Sequence, residues 1–277
     1  MTDAPVARVV RALTSDNQVR LAALDASPLW DGVRRSHPHL EAEACACLTE
    51  LLTANAILMA RNMLQERTQL LLKGAGRARA VVADAWPDGT LRGVLDTSAT
   101  VLEGPWVAAP GLLQVMRSNP SGQPYIGNLP MVEGGIAAQM EAYLQTSEQI
   151  QASLTLWCDP ATGEAGGLLV EPLPDCPSER LALVVQGIDN LEVVPFWERT
   201  TDFVIDWMNQ GPGATILTRT DLTYRCRCTR EALMATLQGF SPEQKEGLFT
   251  EGEPIEVRCD YCGTAYQIHR ADLLERP

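Results

Sequence analysis

Two short thiol pairs near the C-terminus constrain this chain more than any other feature: Cys226-Arg-Cys228, a spacer of residues 229–258, then Cys259-Asp-Tyr-Cys262. A closed structural zinc site holds four thiolates in a tetrahedron at about 2.3 Å, each pair supplying one edge while the intervening chain folds back. The spacing therefore predicts one zinc ion on Cys226, Cys228, Cys259 and Cys262. The first pair is tighter than in a zinc ribbon, and such close pairs also have the reach to close into disulfides once a metal leaves.

The spacer is legible as two helices. Thr229 is placed to cap a helix running to Leu237 and closed by Gly239, and Ser241-Pro242-Glu243-Gln244 supplies an N-cap, a first-turn proline and a capping-box glutamine. Residues 255–259 and 263–268 form a predicted hairpin with the second cysteine pair at its tip, where Gly263 tolerates the positive φ of a metal knuckle. Arg225, Arg227, Arg230 and Arg258 flank the cysteines and are expected to offset the charge of four thiolates around a dication.

Upstream, residues 40–64 place Leu40, Ala44, Cys47, Leu48, Leu51, Leu52, Leu58, Met59 and Met63 mostly at helical spacing, which predicts a long core-facing helix. Residues 69–73, 78–85 and 90–95, broken by Gly74, Gly76 and Pro87-Asp88-Gly89, predict an antiparallel meander. A strand near 112–116, a helix over 133–144 carrying Ile136, Met140 and Tyr143, and strands at 153–158 and 167–170 follow. Strands and helices without regular βαβ alternation indicate an α+β fold, ending near Pro174.

Two more helices are predicted between Ser178 and Gln210, the second starting after Pro195 and stopped by Gly211-Pro212-Gly213. Its Trp197, Phe203, Val204, Trp207 and Met208 form a broad apolar face opposite Glu198, Asp202 and Asp206, a face expected to pack on the first domain. The organisation is thus an N-terminal mixed sheet-and-helix domain over 1–175, a helical linker over 176–223 and a small C-terminal zinc-binding domain over 224–277.

A net charge of −13 with pI near 4.7 opposes binding to phosphate backbones, so nucleic acid is not an expected partner. Hydrophobic content of 45% and charged content of 21% suit a folded globular chain. Residues 1–11 include Asp3 and Pro5 and lack the apolar core of a signal peptide, and the apolar stretch 48–60 contains Glu50, Thr53 and Asn55 and is too short to span a bilayer. A cytoplasmic protein without membrane attachment is expected, where clustered cysteines serve metal or redox chemistry rather than permanent disulfides.

Cys45 and Cys47 lie two apart on a helix, facing different ways, and are assigned with Cys158 and Cys176 as small apolar side chains. Gly74-Ala-Gly76 lacks the spacing of a dinucleotide fingerprint and is assigned as a turn. His37, His39 and His269 have no triad context, so no enzyme activity is predicted. The residues alone leave open a redox switch, a static zinc knuckle for partner binding, and a thiol oxidoreductase using Cys259 and Cys262.

Tyr224-Arg-Cys226-Arg-Cys228 and Glu256-Val-Arg-Cys259-Asp-Tyr-Cys262-Gly263-Thr-Ala-Tyr266 together resemble the heat shock protein 33 family of redox-regulated molecular chaperones. Gly74-Ala-Gly76-Arg77, Leu91-Arg92-Gly93, Glu133-Gly134, Ser147-Glu148-Gln149 and Gly166-Gly167 extend the resemblance over nearly the whole chain, while Val19-Arg20-Leu21 departs from the family's Val-Arg-Gly. The resemblance implies an ATP-independent holdase for unfolded or aggregation-prone clients, largely inactive while reduced with zinc on all four cysteines. Oxidative stress would release zinc and form Cys226-Cys228 and Cys259-Cys262 disulfides, with a homodimer as the activated form. The linker face of Trp197, Phe203, Val204, Trp207 and Met208 would then be the switch and client surface.

Overall fold

The computed structural model describes residues 6–62, 66–99, 101–118, 122–191, 193–249 and 252–274, which fall into two compact units, Met1–Arg225 and Cys226–Pro277. In chain order the first unit holds β1 (Ala7–Leu13), β2 (Val19–Asp25), α1 (Ser27–Ser36), α2 (Ala42–Arg61), β3 (Arg67–Gly74), β4 (Ala80–Ala85) and β5 (Thr90–Asp96). It continues with β6 (Gly111–Ser118), β7 (Tyr125–Pro130), α3 (Ile136–Ser147), β8 (Ser153–Cys158), β9 (Ala165–Pro172), α4 (Ser178–Leu191), α5 (Thr201–Asn209) and β10 (Thr215–Tyr224). The second unit comprises α6 (Arg230–Gln238), α7 (Pro242–Gly247), β11 (Ile255–Arg258), β12 (Ala265–Ile268) and α8 (Arg270–Leu274). The fold is α+β, as the mixed patterning predicts.

Ten strands form one sheet in the order β7-β6-β3-β4-β5-β10-β1-β2-β9-β8. Every neighbouring pair is antiparallel except β10 with β5, joined in parallel by Thr223 opposite Thr90 and Tyr224 opposite Leu91. The predicted meander is β3-β4-β5, with Leu70 opposite Ala83 and Val82 opposite Val94. Helix α2 packs on one face of this sheet, burying Leu48, Leu51, Leu52, Ile57 and Met59 in the main core. Asn55 is matched inside that core: its amide donates to the Ala83 and Thr68 carbonyls, and the Thr68 hydroxyl donates to Asn55 Oδ1 at 2.7 Å. With the Thr49 and Thr53 hydroxyls donating to the Cys45 and Thr49 carbonyls, the fully buried polar side chains of this 20-residue helix all have partners. By length and composition α2 alone among the described helices passes for a bilayer span, yet 83% of its apolar window is buried inside the fold. Met63 and Leu64, included in the predicted helix, lie outside the described residues, as do Asp3 and Pro5.

The opposite face of β1, β2 and β9 carries a second core. Val10, Ala12, Leu21, Ala23, Leu168 and Val170 meet Val184 and Leu191 from α4 and Val204, Ile205 and Met208 from α5. These strands are therefore buried on both faces, and their sequences run apolar with little alternation. A short 3₁₀ turn, Phe196–Glu198, precedes α5, whose N-cap Thr200 accepts a hydrogen bond from the Phe203 amide. Beyond α5 the chain returns to the sheet: β10, within a segment predicted to be helical linker, spans 10 residues between β1 and β5.

Candidate metal centre

The second unit is built around its sulfur atoms. Thr229 caps α6 by accepting from the Ala232 amide, and Ser241 with Gln244 forms the predicted capping box at α7. Between β11 and β12 the chain turns tightly: the Gly263 amide donates to the Cys259 carbonyl at 2.8 Å, the Cys259 amide to the Thr264 carbonyl at 3.0 Å, and Gly263 takes φ +69°. That left-handed conformation is the reason for glycine there. A small apolar core of Met234, Leu237, Phe249, Ile268 and Leu273 underlies the knuckle.

Cys226, Cys228, Cys259 and Cys262 place their Sγ atoms within 4.8 Å of one another, all half-buried. Cys226 lies 3.7 Å from Cys259 and Cys228 lies 3.4 Å from Cys262. A tetrahedron with metal–sulfur bonds of about 2.3 Å has edges of about 3.8 Å, so these separations suit one four-coordinate ion. The cluster can hold a metal ion, and an all-thiolate donor set selects soft or borderline metals such as zinc.

Two neighbours shape the sulfur chemistry, and neither was assigned a role from sequence. The Tyr266 hydroxyl donates to Cys228 Sγ at 3.1 Å, and the Thr264 hydroxyl lies 3.2 Å from Cys262 Sγ. Burial pushes the Cys262 thiol up, but the Thr264 hydroxyl and amide and the neighbouring Cys228 and Cys226 outweigh it, drawing the thiol down to about 7. Burial, reinforced by Cys226, pushes Cys259 up to about 12, and burial raises Cys228 against the opposing Tyr266 hydrogen bond. Tyr266 stands on β12 opposite Val257 of β11, two residues beyond Thr264, and that nearness to the second cysteine pair was the signal the sequence carried. Of the arginines expected to offset the thiolates, Arg230 is paired with Asp272 at 2.6 Å and Arg258 with Glu256 at 2.7 Å. Their charge answers carboxylates first.

The predicted apolar face of the linker is divided. Val204 and Met208 are buried in the second core and Phe203 is half-buried against it, whereas Trp197 is 69% exposed on the 3₁₀ turn and Trp207 is 37% exposed. The single continuous stripe is thereby corrected: the turn at Phe196–Glu198 interrupts helical spacing, so Trp197 does not share the α5 face. Ile205, which the stripe omitted, is buried instead. Trp207 stacks on Phe203 with centroids 5.6 Å apart and donates its indole N–H to the Gly187 carbonyl of α4 at 2.9 Å. Cys45 and Cys47 are buried on α2, and burial holds the Cys47 and Cys158 thiols well above the ordinary range.

A ten-stranded sheet with one long helix on a face, followed in sequence by a compact four-thiol knuckle, defines a two-unit α+β protein with a cysteine cluster able to hold a metal ion. The Hsp33 protein family model matches residues 7–269. The 33 kDa chaperonin of Clostridium perfringens is 26% identical over 96% of this chain and 89% of its own, and that of Thermus thermophilus 30% identical over 94% and 83%. The crystal structure of the Thermotoga maritima 33 kDa chaperonin, an Hsp33 homologue, superposes with a TM-score of 0.82 at 23% identity, covering 97% of this chain and 96% of that one. The chain belongs to the Hsp33 family and is an Hsp33-type chaperone.

Proposed function

We propose that this protein is a redox-regulated, ATP-independent holdase of the cytoplasm that binds unfolding clients under oxidative stress, and that it acts without catalysis. The observation that carries this reading is the convergence of Cys226, Cys228, Cys259 and Cys262 within 4.8 Å in a unit with a small apolar core. In the reduced form these four thiolates would hold one zinc ion. When bound, the ion supplies folding free energy on the order of 10 kcal/mol, which such a core does not replace. Peroxide would take two electrons from each pair of thiolates as zinc leaves: one sulfur–sulfur bond forms, and the peroxide, with two protons drawn from solvent, is reduced to two waters. The resemblance to the family favours Cys226 with Cys228 and Cys259 with Cys262; the 3.4–3.7 Å approaches across the pairs make peptide mapping of the bonds a necessary check.

The division into 1–175, 176–223 and 224–277 is part of the same reading, with 176–223 as the unfolding switch. Val204, Met208, Phe203 and Trp207, with the exposed Trp197, would supply client-binding surface once α4 and α5 leave the sheet. The underlying Val10, Ala12 and Leu21 would be uncovered with them. The activated form is expected to be a homodimer.

The test measures zinc release, disulfide content and suppression of aggregation of a denatured client together, before and after mild heating with peroxide. The expected result is coupled zinc loss, two disulfides and a gain of protection, with trypsin reaching Arg180, Arg199 and Arg219 faster. Protection that is the same in reduced and oxidised protein would remove the switch. Catalytic turnover of a disulfide substrate would favour an oxidoreductase.

A further inference from the structure

A network of buried ion pairs lies at the end of α2, away from the thiols. Arg61, the last residue of α2, bonds Glu171 through Nε at 3.2 Å and Glu148 through Nη1 at 2.7 Å. Arg20 reaches the other oxygen of Glu171 at 3.0 Å, and Arg117 reaches Glu148 at 3.0 Å and Glu66 at 3.9 Å. The Tyr143 hydroxyl also donates to Glu148, at 2.9 Å. Three guanidiniums, Arg20, Arg61 and Arg117, thus meet three carboxylates, Glu171, Glu148 and Glu66.

Arg11 breaks the balance. It is half-buried on β1 and faces Arg20, Glu171 and Arg61, yet among the described residues it makes neither an ion pair nor a hydrogen bond. Burial first, and then repulsion from Arg20 and Arg61 against attraction to Glu171, lower its proton affinity. A guanidinium carries five donors and no acceptor and stays charged in proteins; the Arg11 nitrogens keep contact with solvent, so water can meet their hydrogen bonds, but among the described residues the charge has no paired carboxylate. Arg11, Arg20, Arg61 and Glu171 line a cavity of about 10 Å³ with Ala22 and Leu169. That volume suits one small particle.

We propose that Arg11, Arg20 and Arg61 bind a chloride-sized monoanion in this cavity, supplying the negative charge that Arg11 lacks and tying β1, β2 and β9 to the end of α2. Occupancy stabilises the folded first unit in proportion to the logarithm of chloride once the dissociation constant is exceeded.

The experiment uses the full reduced, zinc-loaded chain. Chloride is varied at fixed ionic strength, gluconate being the replacing anion, while tryptophan fluorescence follows thermal unfolding; all six tryptophans lie in the first unit. The expected result is a rise in Tm of roughly 3–5 °C per tenfold increase in chloride above the dissociation constant. Arg11→Gln should abolish this slope, and Arg35→Gln, at an exposed position on α1, should preserve it. A flat wild-type response means that water occupies the cavity and overturns the proposal, as does a slope that survives in Arg11→Gln. Should Arg11→Gln fail to fold, chloride-35 line width of the wild-type protein decides alone: saturable excess broadening supports the site and its absence overturns it.

Discussion

At the scale of single residues, the side chains that tune the molecule are those whose partners come from distant sequence. Tyr266 is one: its hydroxyl donates to Cys228 Sγ across residues separated by 38 positions. Hydrogen bonds of this kind orient a ligand and favour its thiolate, and their loss typically lowers metal affinity about tenfold. Tyr266→Phe should therefore release zinc about tenfold more readily in competition with a chromophoric chelator, with the ring's packing retained. Glu50 is another. Desolvation on α2 pushes its carboxyl up to about 7 from 4.5. Between those values the folded state binds more protons than the unfolded state, so this group's contribution falls as pH rises and is fully lost above pH 7. Glu50→Gln should consequently stabilise the protein by ~3 kcal/mol at pH 8 and by almost nothing below pH 4.5, as read by urea denaturation at the two pH values.

At the scale of elements, legibility followed how strongly local sequence determines structure. Helix α2 is long and its apolar residues repeat, the β3-β4-β5 meander is punctuated by Pro87-Asp88-Gly89, and the caps at Thr229 and Ser241 are local chemistry, so all could be read. Strands β1 and β2 could not, because burial on both faces removes alternation and Arg11 and Arg20 interrupt the apolar run. Strand β10 is harder still: Thr215, Thr218, Arg219 and Thr220 give it a polar surface, and its place between β1 and β5 is set by pairing with strands over a hundred residues earlier. The sulfur cluster was visible because its spacing is a short code, whereas the hydrogen bonds around it require the fold. The attachment of α5 is likewise tertiary. The Ser15 amide donates to Asn209 Oδ1 at 2.8 Å, and Arg180 pairs with Asp16 at 2.8 Å while donating to the Met208 carbonyl. The β1–β2 turn thus grips α4 and α5 by polar contacts above their apolar core. Asn209→Ala leaves the Ser15 amide unmatched at a cost of about 1–2 kcal/mol, which should raise trypsin cleavage at Arg199 in the reduced protein roughly 5–30-fold.

At the scale of the whole molecule, the two units draw stability from different sources. The first has a sheet packed on both faces, with α2 on one and α4 and α5 on the other over β1, β2 and β9. The second has one small cluster around Met234 and Ile268, and four acidic-capable sulfurs that repel one another once ionised without a cation between them. Removing metal from the reduced protein should therefore act unequally. Hydrogen exchange after chelation should lose protection across β11 and β12 while the amides of β3 and β4 keep theirs, because those strands depend on no sulfur ligand. The behaviour of α4 and α5 then discriminates between two architectures. If they are stable in their own right on β1, β2 and β9, the Trp207 contact with Gly187 and the protection of α5 persist after metal loss. If they are the switch proposed for residues 176–223, their protection falls with that of β11 and β12, and the fluorescence of Trp197 and Trp207 changes at the same chelator concentration. Exchange measured after chelation alone and after peroxide separates loss of the ion from formation of disulfides. Retained protection of α5 under both treatments, with client binding gained, would place the client surface on the first unit's sheet and not on this linker.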